Sequence, residues 1–304
     1  MMSDVMKAKK AYPMKTSINL WAFPYPNTID GLKKNLELAK RAKWDGVEIN
    51  FDEKGAISME STDDDLKKIA KMRKEIGIDF GGMCTFLFWK YPPTSADTKV
   101  REKIVPITKR MITACEILGV ESLLVVPGAV WIPWAPETPV VAFQDAWDRA
   151  TKAIKEYLPL AEDKKIVLSI ENIGCNGFLM GPLEMKNFVD QFKSKYVGIH
   201  FDTANVGPSQ FPEDWIRYLG KRITNVHIKE FNRVEASFPV LEAARMLGDG
   251  SVNWPAVMEA LDSVGYKGYL NFEYYHPYKY YSEALIFHAS DYMNRMLGRE
   301  PLYT

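Results

Sequence analysis

Ile166-Val167-Leu168-Ser169-Ile170-Glu171-Asn172 is a short apolar run that closes on a carboxylate. An amphipathic segment at 182–192 follows it, and then a second apolar run, Val197-Gly198-Ile199-His200-Phe201-Asp202-Thr203. Short apolar runs bounded by Gly, Asn or Asp suit buried strands, and apolar residues recurring at a period of about 3.6 suit helices, so this stretch predicts strand, helix, strand. The same unit recurs in both directions. Strands are expected at 16–23, 46–51, 78–84, 122–127, 166–172, 197–203, 223–229 and 269–275. Helices are expected at 29–42, 63–76, 100–118, 140–161, 182–192, 212–219, 254–264 and 282–297. Ser61-Thr62-Asp63 is a start signal for the second helix, and Pro182 and Pro212 fall in first turns, where a missing N–H costs nothing. Strict alternation implies a parallel sheet. With no composition break, linker or repeat boundary, a single closed (β/α)8 barrel over residues 14–304 is preferred to an open sheet with a second domain.

Composition narrows the function. Lys plus Arg equals Asp plus Glu at 39 each over 304 residues. That balance removes the electrostatic argument for nucleic acid or an anionic membrane and favours a small neutral substrate. Cys84, Cys115 and Cys175 are too few and scattered for a disulfide framework or a thiolate metal site, and they fit a reducing compartment. No apolar run reaches membrane-spanning length. Residues 1–13 are basic but lack the apolar core of a secretory signal, so they read as a disordered or loosely attached extension, and a cytoplasmic protein is expected.

In such barrels chemistry sits at the carboxyl ends of strands. The fifth to eighth strands end on Glu171, Asp202, His227 and Glu273, three hard oxygen donors and one nitrogen donor aimed at one point. A lone carboxylate at a strand end is more often a helix cap or ion-pair partner. Three that converge would repel unless a cation neutralised them, so the set predicts one divalent ion, Mn2+ before Mg2+, Co2+ or Zn2+.

Ser-Ile-Glu-Asn at 169–172, Phe-Asp-Thr-Ala-Asn at 201–205, His-Ile-Lys-Glu-Phe-Asn-Arg at 227–233 and Asn-Phe-Glu at 271–273 resemble the xylose-isomerase-like barrel superfamily, and within it the sugar isomerase and ketose 3-epimerase branch. Gly-Val-Glu-Ile at 46–49 and Gly-Asp-Gly at 248–250 extend the resemblance along the chain. It implies Glu171, Asp202, His227 and Glu273 as metal ligands, Glu171 and Glu273 as an acid/base pair, and Arg233 as a contact to substrate oxygens. One departure is Asn205, where the epimerases commonly have His three residues after the metal-binding Asp; an amide can bond a sugar hydroxyl but carries no charge.

Other residues carry weaker signals. His200 shares a strand face with Asp202 and reads as a substrate contact, a partner of a ligand, or a satisfied barrel-interior histidine. Lys229 shares a face with His227 and reads as a substrate contact or a solvated loop lysine. Glu48 points into the barrel mouth, toward a substrate hydroxyl, a ligand or a buried ion pair. Phe86, Phe88 and Trp89 after the third strand and Trp131 and Trp134 after the fourth can close the site over a sugar face, or form the interface of a homodimer or homotetramer. The aromatic run at 274–281 reads as packing below a loop, and Cys175, with no base nearby in sequence, is given no nucleophilic role.

These residues point to C3 epimerisation of an unphosphorylated ketose through a cis-enediolate, with Glu171 removing a proton and Glu273 returning one to the opposite face. The alternatives are aldose–ketose isomerisation, which needs the same parts shifted by one carbon, and a lyase or dehydratase acting on a keto sugar or glycoside, with Lys229 or His200 as extra acid. A sugar-binding module without turnover is a further class. A multi-zinc nuclease on the same barrel is disfavoured by a total of 4 histidines and no basic excess.

Overall fold

The computed structural model describes residues 10–234, 244–275 and 277–302. The strands are β1 (Lys15–Asn19), β2 (Gly46–Asn50), β3 (Asp79–Cys84), β4 (Ser122–Val125), β5 (Val167–Glu171), β6 (Val197–Asp202), β7 (Ile223–Ile228), β8 (Glu230–Phe231), β9 (Ala244–Arg245) and β10 (Tyr269–Phe272). The helices are α1 (Ile29–Arg41), α2 (Asp63–Ile76), α3 (Leu87–Lys90), α4 (Thr98–Leu118), α5 (Phe143–Lys164), α6 (Pro182–Asp190), α7 (Pro212–Leu219), α8 (Trp254–Ser263) and α9 (Glu283–Met296). Eight parallel strands close in the order β1-β10-β7-β6-β5-β4-β3-β2, so the expected barrel is the observed one.

Three local differences have physical causes. Residues 20–23, expected to prolong the first strand, instead include a 3-10 turn at Leu20–Ala22, because Asn19 caps it by accepting the Trp21 N–H at 2.8 Å. The two-residue antiparallel pair β8–β9 and the one-turn α3 are too short to leave a periodic signal. Residues 1–9 of the expected extension lie outside the described residues, whereas Tyr12 donates its N–H to the Leu297 carbonyl at 3.0 Å and so ties the approach to β1 to the end of α9.

Helix starts follow the local chemistry. At α2, Thr62 accepts the Asp65 N–H while Asp65 reaches back to the Thr62 N–H, a capping box that satisfies two otherwise unpaired donors. Pro182 and Pro212 occupy first turns, as read from the sequence.

The strands sort their side chains with a period of two. Ile18, Val47, Ile49, Leu168, Ile170, Ile199, Phe201, Val226, Leu270 and Phe272 are buried in the core with the helices. The opposite parity carries Asn19, Glu48, Ser169, His200, Asp202, Asn225, His227 and Asn271, also buried. Where such barrels usually stack branched apolar side chains, this one has hydrogen bonds. Ser122, Ser169 and Thr224 link through their hydroxyls at 2.8 Å each, and Asn271 donates to Asn225 at 2.9 Å. Among the described residues no helix is long and apolar enough to cross a membrane.

After β7 the chain is gathered by Glu230, which is 1% exposed. Its carboxylate accepts from the Trp254 indole at 2.7 Å, from Val252 N–H and Phe231 N–H at 3.1 Å, and from Gly248 N–H at 3.3 Å. Gly250 must lack a side chain here, since a Cβ would sit 2.2 Å from Glu230 Oε1. Glu230→Ala strands these buried donors and is expected to lower unfolding free energy by about 3 kcal/mol, read as a shift in the urea midpoint.

Candidate functional site

Four consecutive barrel positions meet above the polar axis. One ligand atom from each of Glu171, Asp202, His227 and Glu273 lies within 4.8 Å of the others, and all four residues are buried. His227 Nδ1 is at the centre, 3.5 Å from Glu171 Oε1, 3.5 Å from Glu273 Oε1 and 3.9 Å from Asp202 Oδ2. The other ring nitrogen, Nε2, lies 2.7 Å from Glu48 Oε2, and Asn19 donates to that same oxygen at 2.6 Å. A carboxylate that accepts the Nε2 hydrogen bond fixes the ring so that Nδ1 faces the three acids; those acids raise the His227 pKa, so the ring is cationic as it stands, and a bound cation would take the place of the Nδ1 proton. Glu48 is fully buried beneath His227, an arrangement that both the ligand-orienting and the buried-ion-pair alternatives of the sequence reading describe, and it does not line the open mouth.

His200 packs edge-on against His227, ring centroids 4.0 Å apart, with Nε2 4.0 Å from Glu48 Oε1. Burial, then the charges of His227 and Lys229, hold its pKa well below the ordinary histidine value, so it is a neutral interior residue beside His227. Lys229 is 5% exposed, which sets aside the solvated-loop reading. Its ammonium lies 2.8 Å from Asp202 Oδ2, pairs with Glu273 Oε2 and sits 5.6 Å from the Tyr275 ring centroid. Burial opposes its charge, but Asp202 and Glu273 outweigh burial and raise its pKa.

The two glutamates differ in environment. Burial pushes the Glu171 carboxyl up to about 7, opposed by its contact with His227 and assisted by repulsion from Glu273 and Asp202. Glu273 is just as buried, yet His227, Lys229 and the Tyr275 hydroxyl overcome burial and hold it down at about 2.

The loops are fastened by side chains of which Asn172 and Thr203 were not singled out in the sequence. Asn172 donates to the Asp202 carbonyl at 3.0 Å and accepts the Asp202 N–H at 2.8 Å, which locks the ends of β5 and β6 together. Thr203 Oγ1 donates to the Lys229 carbonyl and accepts the Lys229 N–H, both at 2.9 Å, joining β6 to β7. Asp202 Oδ1 accepts from the N–H groups of Ala204 at 2.7 Å and Asn205 at 2.9 Å, so its other oxygen is the one left toward the cluster. Asn205 in turn donates to Glu171 Oε1 at 3.4 Å. Gly174 permits this approach, because a Cβ there would lie 2.4 Å from the Asn205 carbonyl oxygen.

Phe86 stacks at 4.2 Å on Trp21 and lies 5.7 Å from Tyr275, while Trp21 and Tyr275 are 5.1 Å apart. Tyr275 is therefore part of the site, contrary to its reading as packing below a loop; its place two residues after Glu273 was the available signal. His276 lies outside the described residues. Trp89 and Trp131 line a separate cavity, with Trp134 against Trp89 at 4.7 Å, and Phe88 is buried in the core. Arg233 is committed elsewhere: it donates to the carbonyls of Pro208 and, at 2.9 Å, Gln210, and stacks 4.5 Å from the Phe211 ring. It bridges the loops after β6 and β8, and among the described residues no contact joins it to the three acids and the imidazole. The Cys175 thiol is pushed up to about 11 by burial, in line with the absence of a nucleophilic role.

These residues fit a divalent cation. His227 Nδ1 is buried without a hydrogen-bond partner among the described residues, Asp202 Oδ2 and Glu273 Oε2 share the Lys229 ammonium, and all three residues converge with Glu171. A hard ion with mixed oxygen and nitrogen donors satisfies all of them.

A family model described as xylose isomerase-like TIM barrel matches residues 36–295. An L-ribulose 3-epimerase of Mesorhizobium japonicum is 23% identical over 248 residues, 80% of this chain and 75% of that protein. An uncharacterized protein of Methanocaldococcus jannaschii is 25% identical over 186 residues; the match spans 60% of each chain's length. Among solved structures, an L-ribulose 3-epimerase superimposes with a TM-score of 0.76 at 19% identity, covering 93% of this chain and 94% of that one. A D-psicose 3-epimerase crystallised with D-fructose gives 0.74 at 18% identity, covering 94% and 100%. An IOLI protein with a bound zinc atom gives 0.74 at 19%, covering 93% and 98%.

Glu48→Gln removes the charge that fixes the His227 tautomer. It is expected to weaken Mn2+ binding by about 10- to 100-fold in equilibrium dialysis, with the far-UV circular dichroism unchanged.

Proposed function

The chain belongs to the xylose isomerase-like TIM barrel family, and from that premise we propose that it is a divalent-metal-dependent sugar isomerase that inverts C3 of a ketose. The observation that carries the reading is the flanking of one buried imidazole by two carboxylates: Glu171 and Glu273 approach His227 Nδ1 to 3.5 Å from β5 and from the end of β10. The likeness to L-ribulose and D-psicose 3-epimerases supports it.

Glu171, Asp202, His227 and Glu273 would hold the cation, which when bound polarises the ketose carbonyl and acidifies the neighbouring C–H. Glu171, which Asn205 orients, and Glu273 would flank C3: the one that enters as the carboxylate removes the C3 proton, the one that enters as the carboxylic acid delivers its own proton to the opposite face of the enediolate, and the roles exchange when the reaction runs backward. Tyr275 and Lys229 hold Glu273 in place. Trp21, Phe86 and Tyr275 shelter the substrate from water, which strengthens each electrostatic contact beneath them.

A second reading is favoured by one observation. Lys229 is a buried acid in contact with Asp202 and Glu273 that proton exchange between two glutamates does not use. In an elimination it would protonate the leaving group, and the product would be a dehydrated or cleaved sugar.

Incubation with Mn2+ and a panel of ketoses in deuterated water, followed by NMR, tests the proposal. Label at C3 is expected; label at C1 or C2 moves the assignment to aldose–ketose isomerisation, release of an unsaturated product moves it to elimination, and no exchange on any sugar sinks it. Glu171→Gln and Glu273→Gln are each expected to slow exchange by at least about 100-fold. Full exchange by either variant with metal bound would exclude its glutamate from proton transfer.

A further inference from the structure

Beside the metal-binding cluster, on the β1–β2 side of the mouth, lies a cavity of about 240 Å3 whose lining includes Trp21, Tyr25, Asn35, Asn50, Ile57 and Phe86. Two of these belong to both places. Trp21 and Phe86 line the cavity, and they also pack against Tyr275, whose hydroxyl bonds Glu273. Asn50 makes a second link, since it lies two residues beyond Glu48 on the same face of β2 and accepts from the Cys84 thiol at 3.3 Å.

The lining has a definite chemistry. Its walls combine aromatic and aliphatic side chains with the amides of Asn27, Asn35 and Asn50, and among the described residues Asp52 is the sole charged one lining it, so none of them would neutralise a phosphate or carboxylate. Asn35, on α1, is 4% exposed; its Nδ2 donates to the Tyr25 carbonyl at 3.3 Å, and its Oδ1 is buried without a partner among the described residues. Leaving a buried amide oxygen unpaired is costly, and a hydroxyl donor would satisfy it. Aromatic faces beside amides that bond hydroxyls are the two elements that recognise an uncharged sugar ring. Pockets that take a whole drug-sized ligand run to roughly 300–1,000 Å3. At about 240 Å3 this one suits a single ring of a longer ligand.

We infer that this cavity is a subsite for a second, uncharged sugar residue, so that the substrate is a ketose carrying a glycosyl substituent on a hydroxyl other than those at C2 and C3. The inference rests on the ketose reading of the metal-binding cluster. It adds that Trp21 and Phe86 mark the junction between the reacting ring and its substituent.

The test uses the full-length Mn2+-loaded protein and four probes: fructose, fructose 6-phosphate, and the glucosyl-fructoses maltulose and isomaltulose, in which C2 and C3 are free. Calorimetric titration measures binding, and deuterium incorporation at C3 measures turnover. At least one disaccharide is expected to bind about tenfold or more tighter than fructose, with no such gain for fructose 6-phosphate. That gain should fall below about threefold in Asn35→Leu, which removes the acceptor at similar volume, and in Ala56→Phe, which fills the cavity. If Asn35→Leu fails to fold, Ala56→Phe decides the point. Equal affinity for fructose and both disaccharides overturns the subsite, as does a gain that survives Ala56→Phe or a preference for the phosphate. Tighter disaccharide binding without label at C3 upholds the subsite and overturns the epimerase reading. Binding of none of the four overturns both.

Discussion

Three carboxylates cannot share a dry barrel mouth without positive charge among them. Like charges 4 Å apart repel by about 4 kcal/mol at an effective dielectric near 20, and burial adds a desolvation cost for each. Glu171, Asp202 and Glu273 meet within such distances. Much of the surrounding structure answers that constraint. Lys229 pairs with two of the acids, and His227 faces all three with a pKa raised well above its ordinary value, because the attraction of Glu273 and Glu48 exceeds the cost of burial. Glu48 is drawn under His227 for the same reason, and Asn19 donates to its Oε2 there.

The barrel can carry this charge because its strands separate two tasks by parity. Outward positions are apolar and pack on the helices, which supplies the hydrophobic stability of the domain. Inward positions are released to hold hydroxyls, amides and finally the charged cluster, in an ascending polar series from Ser122, Ser169 and Thr224 through Asn225 and Asn271 to Glu48 and His227. Each strand thus delivers its last inward side chain to the mouth on a rigid support. The clamps at Asn172 and Thr203 then fix neighbouring strand ends relative to one another.

The same parity explains what could be read from the sequence. A strand end is a position that periodicity locates, so Glu171, Asp202, His227 and Glu273 were legible as a set before any coordinates. Lys229 and His200 were legible as sharing their faces, but their burial, which decides their roles, was not. Loop residues obey no period: Trp21 needed the turn capped by Asn19, Tyr275 needed the chain's path after β10, and Arg233 needed the carbonyls of Pro208 and Gln210 to show where its guanidinium is spent. The rings at Trp131 and Trp134 lie on a loop after β4, and periodicity could not separate them from Phe86, which does reach the site.

Similarity at 18–19% identity to ketose 3-epimerases of known structure speaks for the scaffold, while the substrate is selected by what stands around the cluster. Asn205 is the informative position. A histidine there could share positive charge with the Glu171 side, whereas the amide carries none; the Lys229 ammonium lies on the Asp202 and Glu273 side. The two glutamates diverge, Glu171 pushed by burial toward about 7 and Glu273 held toward about 2 by His227, Lys229 and Tyr275. The site is therefore electrostatically lopsided, with a well-compensated carboxylate beside Tyr275 and an under-compensated one beside Asn205.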